Sequence, residues 1–151
     1  MARLPLTSVV GAIAGAVSGF IAMVVFILIS FVFVAPMLGV ERLFVEGTWD
    51  ASTFWLTLSI ALSVIGALLG GVVARIVGAE RAVKWLAVLV LVTGIASAVS
   101  NMTDTTRGGP RTPDATMDDA ATHARQPHWI AFLNPLIGAA GVLVGGRKKR
   151  D

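Results

Sequence analysis

The chain has 151 residues, of which 56% are apolar and 14% charged, and its mean hydropathy is +0.82. Soluble domains average about 45–50% apolar and about 25% charged residues, so the composition excludes a water-soluble enzyme or a disordered tail and indicates an integral membrane protein. The net charge of +3 is sorted between two groups of segments rather than gathered into a nucleic-acid-binding face, and the absence of cysteine removes disulfides, thiolate metal sites, thiol catalysis and sulfur-linked lipids.

A bilayer core about 30 Å thick needs about 20 mostly apolar residues in helix. The first such run covers residues 7–35 without a charge and stops at Pro36 and Gly39. It exceeds the length a span requires, which predicts tilt. With only Arg3 before it and a run far beyond the roughly 7–15 residues of a signal-peptide core, it reads as an uncleaved span. Residues 39–50, with Val40, Leu43, Phe44, Val45 and Trp49, suggest a short segment on the membrane surface. The second run covers 52–74, the third 83–100 and the fourth 128–146, where Pro135 removes one helical hydrogen bond and predicts a kink. Residues 101–127, rich in Gly, Pro and Asp, predict an extended or mobile loop, because they offer too little apolar surface to offset ordering entropy. The expected fold is all-α: a single membrane domain, 1–151, of four transmembrane helices.

Four spans put both ends on one side. That side holds Arg3, Arg75, Arg81, Lys84, Arg147, Lys148, Lys149 and Arg150; the other holds Arg42, Arg107, Arg111 and Arg125. Eight basic residues against four predict cytoplasmic termini in a bacterial inner membrane. The acids sort inversely, two with the termini and seven opposite, so the sides carry about +6 and −3. Trp49, Trp55 and Trp129 are expected at the outer interface and Trp85 at the inner one, the places where aromatic belts form. The terminal run Arg147, Lys148, Lys149, Arg150 reads as a membrane-surface anchor touching anionic lipid.

The spans hold no ionisable residue away from their ends, which removes the usual machinery of proton-coupled transport and voltage sensing. Ser59, Ser63, Thr93, Ser97 and Ser100 could form polar stripes, although such hydroxyls commonly bond back to their own helix. Phosphate-loop, HExxH and GxSxG motifs are absent. Asp119, His123 and His128 make too thin a ligand set for a metal site, and His128 beside Trp129 lacks the supporting group an axial haem or pigment ligand uses. No catalytic, metal or cofactor residue is predicted, and structural lipid is expected. Asn101-Met102-Thr103 matches a glycosylation sequon but abuts the third span.

The densest pattern is one of small residues. Gly11, Gly15 and Gly19 recur every four positions, as do Gly66, Gly70, Ala74 and Gly78, and again Gly141 and Gly145. Removing the side-chain spacer lets helix backbones approach in lipid, where the hydrophobic effect does not pull helices together. Several such faces on one chain predict that at least one points outward to a partner.

The stretches GALLGGVVARIVGAERAVKWLAVLVLVTGIAS and QPHWIAFLNPLIGAAGVLVGGRKKR resemble those of small, uncharacterised four-span bacterial inner-membrane proteins. The resemblance implies the four-span layout and no activity. The expected function is that of a non-catalytic accessory subunit, docked by small-residue faces against a larger membrane complex of respiratory or photosynthetic type, with other membrane subunits and lipid as partners and self-association open. The alternative is a small homo-oligomeric channel or transporter lined by hydroxyl and backbone groups.

Overall fold

The computed structural model describes residues 6–104 and 107–147; the predicted anchor residues Lys148, Lys149 and Arg150, like Arg3, lie outside the described residues. Three helices are long and apolar enough to cross a membrane: α1 (Leu6–Leu38), α3 (Thr53–Thr103) and α5 (His128–Gly145). Two short helices, α2 (Val40–Leu43) and α4 (Met117–His123), lie in the connections. Among the described residues there is no strand, only three isolated bridges.

At 1.5 Å per residue a straight helix of 51 residues would reach about 75 Å. α3 is not straight. Gly78 (φ −129°, ψ 15°) and Ala79 (φ 58°, ψ −159°) leave the helical region, at the position where Arg75, Glu80, Arg81 and Lys84 interrupt the apolar run. Residues twelve apart across this break meet the same neighbours. A Cβ placed on Gly19 falls 2.8 Å from both Ala74 Cβ and Leu86 Cδ2, and Gly146 lies against both Gly71 and Val83. α3 is therefore a hairpin of two arms, 53–77 and 80–103.

The arms form the centre of the bundle. α1 packs on both of them through Gly15, against Gly78 and Ala82, and Gly19, against Gly70, Ala74 and Leu86. α5 packs on both through Gly141 and Gly145, against Ala67 and Leu68, and through Pro135 and Gly138, against Gly94 and Val90. α1 and α5 barely touch each other. Both described ends of the chain lie at the hairpin end.

The small-residue faces are used inside this unit, so the expectation of an outward one is corrected. A Cβ on Gly15 would fall 2.6 Å from Gly78 N, and one on Gly141 2.8 Å from Ala67 Cβ; Gly66 and Gly70 are 3.1 and 2.9 Å from α1 atoms, and Gly145 sits on the Leu68 backbone. Ala74 is fully buried. At Gly11 alone among the predicted packing positions an added side chain would meet open space. The hairpin explains this: two adjacent arms give each glycine face a partner within the chain. The periphery is instead large and apolar, as at Val17, Ile21, Leu28, Val88 and Val92.

At the other end the connections build a cap. Leu43, Phe44, Trp49 and Ala120 are buried together with Ala35 from α1. A tight turn, closed by Val45 N donating to Asp50 O (2.9 Å), is flanked by the Thr48–Pro110 and Asp50–Arg125 bridges. Arg111, with its side chain 4% exposed, makes a bidentate pair with Glu41 at 2.9 and 3.1 Å. Residues 107–127 are thus ordered rather than extended, because their apolar partners come from residues 43–49, a connection remote in sequence. Trp49 is likewise corrected: its indole is 5% exposed, in edge contact with Phe44 and stacked on His123 at 5.5 Å, instead of lying in an interfacial belt.

Candidate functional site: a vestibule beneath the cap

Close backbone contact is densest around Gly15, Gly19, Gly70, Gly71 and Gly78, each so near a neighbouring backbone that no side chain would fit. Toward the cap close contact persists between Gly94 and Pro135 but leaves a cavity beside them. Beyond Met23 and Val90 all four helical segments contribute to a cavity of about 410 Å³. Its deep wall is apolar, made by Phe20, Met23, Val24, Ile27, Val90 and Gly138; its upper wall carries Ser63, Thr93, Ser97, Asn101, Gln126 and Asn134. A chamber of about 290 Å³ shares Ser63, Gln126 and Asn134 and adds Phe31, Trp55, Ser59, Arg107 and Arg125. Another of about 280 Å³ shares Asn101, Gln126 and Ala131 and adds Asp104, Arg107, Arg125 and His128. Common walls make the three a stepped vestibule whose mouth lies under the cap.

Its polar side chains fall into two groups. Thr93 Oγ1 donates to Leu89 O (2.7 Å) and Ser59 Oγ to Leu56 O (2.9 Å), the local back-bonding expected of hydroxyls in membrane helices. Ser63, Ser97, Asn101, Gln126 and Asn134 make no side-chain hydrogen bond among the described residues, and Asn134 Oδ1 is buried with no partner. Pro135 next to it has no N–H to give the Ala131 carbonyl, and Ala131 lines two of the chambers. The 410 Å³ chamber has no titratable side chain on its walls. It can therefore bind by hydrogen bonding and apolar contact, and it presents no acid–base pair to activate Ser63 or Ser97.

The mouth is held by backbone geometry. Arg125 N donates to Trp49 O and Ala51 N donates to Arg125 O, each at 2.9 Å, so the turn anchored by the buried Trp49 fixes the Arg125 main chain. The Arg125 side chain lies over Gly108 (φ 99°), where a Cβ would fall 3.4 Å from its Cδ. Arg107 Nε donates to Asp104 Oδ2 at 3.0 Å, whereas Arg125 has no ion pair among the described residues. Behind the mouth, α4 starts with a capping box: Asp119 N donates to Thr116 Oγ1, while Thr116 N and Oγ1 both donate to Asp119 Oδ2. These bonds from Thr116, backbone first, hold the Asp119 carboxyl below the usual carboxylate range.

The residues singled out from sequence divide accordingly. Ser63 and Ser97 come together in the vestibule with Thr93, while Ser59 lines the upper chamber. Trp55 walls that chamber beside Phe31, their rings 5.3 Å apart, and Trp85 and Trp129 are exposed on the apolar periphery. Arg147 is exposed at the hairpin end, and His128 borders the mouth. His123 bonds to Thr122 and to the Asp119 carbonyl, and stacks on Trp49, a structural use. The amides Asn101, Gln126 and Asn134 are not legible as site residues in the sequence: the first two fall in the 101–127 connection, and Asn134 before Pro135 within an apolar run is the one available signal. Comparison with protein-family models, curated proteins and solved structures finds no match for this chain.

Proposed function

We propose that this chain is a four-span protein of a bacterial inner membrane, with both ends cytoplasmic, which captures a small ligand from the outer side in its vestibule without chemical conversion. The orientation is supported by charge: Arg75, Arg81, Lys84 and Arg147 stand at the hairpin end with one acid, Glu80, while the cap carries four arginines and seven acids. The observation that carries the function is the meeting of five uncharged polar side chains, unpartnered by protein, in one cavity inside an otherwise apolar bundle. Leaving a buried polar group unsatisfied costs about 1–3 kcal/mol, so water or a polar group of a ligand is needed at Asn134 Oδ1, while Ser97 and Gln126 are exposed and Ser63 and Asn101 half-buried, open to the same occupant. An opening of about 410 Å³ falls in the range of small-molecule pockets, about 300–1,000 Å³.

The absence of cysteine makes the test clean. Ser97→Cys is expected to react with a small membrane-impermeant thiol reagent applied from the outer side, whereas Leu86→Cys, below the vestibule floor, stays unreacted. Equal protection of both would remove the vestibule, and reaction of Ser97→Cys only from the cytoplasmic side would reverse the orientation. The channel alternative needs a path through the close-packed layer around Gly15, Gly19, Ala74 and Leu86, between the vestibule and the cleft at the hairpin turn. The accessory-subunit reading now rests on the apolar periphery and Gly11; its support would be unlike membrane chains retained in stoichiometric amount by native mass spectrometry.

A further inference from the structure

The vestibule has a gradient of chemistry from floor to mouth, and its mouth has a cation to spare. Resting on the ligand-capture reading above, we infer that the ligand is a single-chain amphiphile with an anionic head, its chain against Met23, Ile27 and Val90 and its head at Arg125. Three observations support this occupant. The floor is apolar and untitratable, so it suits a hydrocarbon chain and rejects a charge. The uncharged hydrogen-bonding groups Ser63, Ser97 and Asn134 sit above that floor, at the depth of the hydroxyl, ester or amide linkage below a head group. At the mouth the ionisable side chains are Asp104, Arg107, Arg125 and His128. Asp104 is engaged by Arg107, which leaves Arg125 as the cation that a carboxylate or phosphate can pair with. The cap as a whole is acidic, so this positive mouth is a local arrangement rather than a share of a basic surface. The two remaining acids of the adjoining turn, Glu46 and Asp50, are exposed and line none of the three chambers.

Trp55 on the upper wall supplies the readout. The full chain in nanodiscs of zwitterionic lipid is titrated with three bromine-tagged probes of equal chain length: an alkyl carboxylate, an alkyl phosphate and a neutral alkyl glucoside. The signal is the quenching present in the wild type and absent from Trp55→Phe, which removes contributions from the lipid-exposed Trp85 and Trp129. The anionic probes are expected to half-saturate at about tenfold lower concentration or less than the glucoside, the worth of one charge-assisted pair. Arg125→Gln should abolish that preference and Arg125→Lys retain most of it. The carboxylate and phosphate arms separate a fatty-acid-type head from a phospholipid-type one. Equal half-saturation of charged and neutral probes, or a preference unchanged in Arg125→Gln, overturns the anionic assignment while leaving the vestibule in place. No saturable Trp55 quenching by any of the three overturns the ligand-capture reading itself.

Discussion

Asn134 is the residue at which stability and function pull apart most clearly. Its carboxamide oxygen is buried without a hydrogen bond, and a helix interior of this composition would be more stable with an apolar side chain of similar size. Replacement by leucine is therefore expected to raise the thermal midpoint in detergent, by the equivalent of about 1–2 kcal/mol, and to weaken Trp55 quenching by any amphiphile that reaches the vestibule. A lower midpoint with ligand capture intact would show that Asn134 is a packing residue and no part of the site. Ala79 is a second residue held against its preference. Its φ of 58° with ψ −159° lies in a region essentially reserved for glycine, a strain of about 1–3 kcal/mol. Gly78 cannot exchange places with it, because a Cβ there would strike the Gly11 carbonyl and fall 2.6 Å from Ala82 Cβ.

Among the elements, α4 shows best why half of the structure was legible and half was not. The long helices announce themselves by apolar runs, and the hairpin by Gly78 among charges, since a charge in hydrocarbon is costly wherever its neighbours are. The cap has no such local signature: Leu43, Phe44 and Trp49 find Ala120 from a connection some seventy residues later, and each segment alone is too polar or too short to order itself. The vestibule divides the same way. Hydroxyls such as Ser63 could be named from sequence, but whether a polar side chain is satisfied depends on what three other segments bring to it. α4 has seven residues and would be marginal without its capping box and the Trp49–His123 stack. Because Thr116 depresses the Asp119 pKa, the bond's contribution is fully present above the ordinary carboxylate range and is lost as pH falls through the depressed value. Amide-exchange protection of α4 should therefore persist to lower pH in the wild type than in Thr116→Val, whose loss should move up toward the ordinary aspartate range. Identical acid profiles would mean that the capping box does not hold the cap closed.

The molecule as a whole has a close-packed layer around Gly15, Gly19, Ala74 and Leu86 that divides the vestibule from an open cleft of about 720 Å³ at the hairpin turn, and that layer separates a binding unit from a carrier. A carrier must open the hairpin end to release what it takes up, so Gly19, Ala74 and Leu86 would have to part in every cycle. A unit that only captures its ligand can keep them in contact throughout. Ala74 Cβ and Leu86 Cδ2, on opposite arms of α3, each lie 2.8 Å from the same point above Gly19. In this cysteine-free chain Ala74→Cys with Leu86→Cys puts one thiol on each arm, to be joined by oxidation or by a short reducible bis-thiol cross-linker, fixing the arms below the vestibule floor while leaving its walls free. Joining them is expected to leave the half-saturation of the Trp55 signal within about threefold of the reduced protein, since a close-packed layer transmits no opening that ligand entry needs. A large loss of affinity on cross-linking, restored by reductant, would show that capture moves the arms at this end. The inner seal would then be a gate, and the chain a carrier with its hinge at the strained Gly78–Ala79 turn.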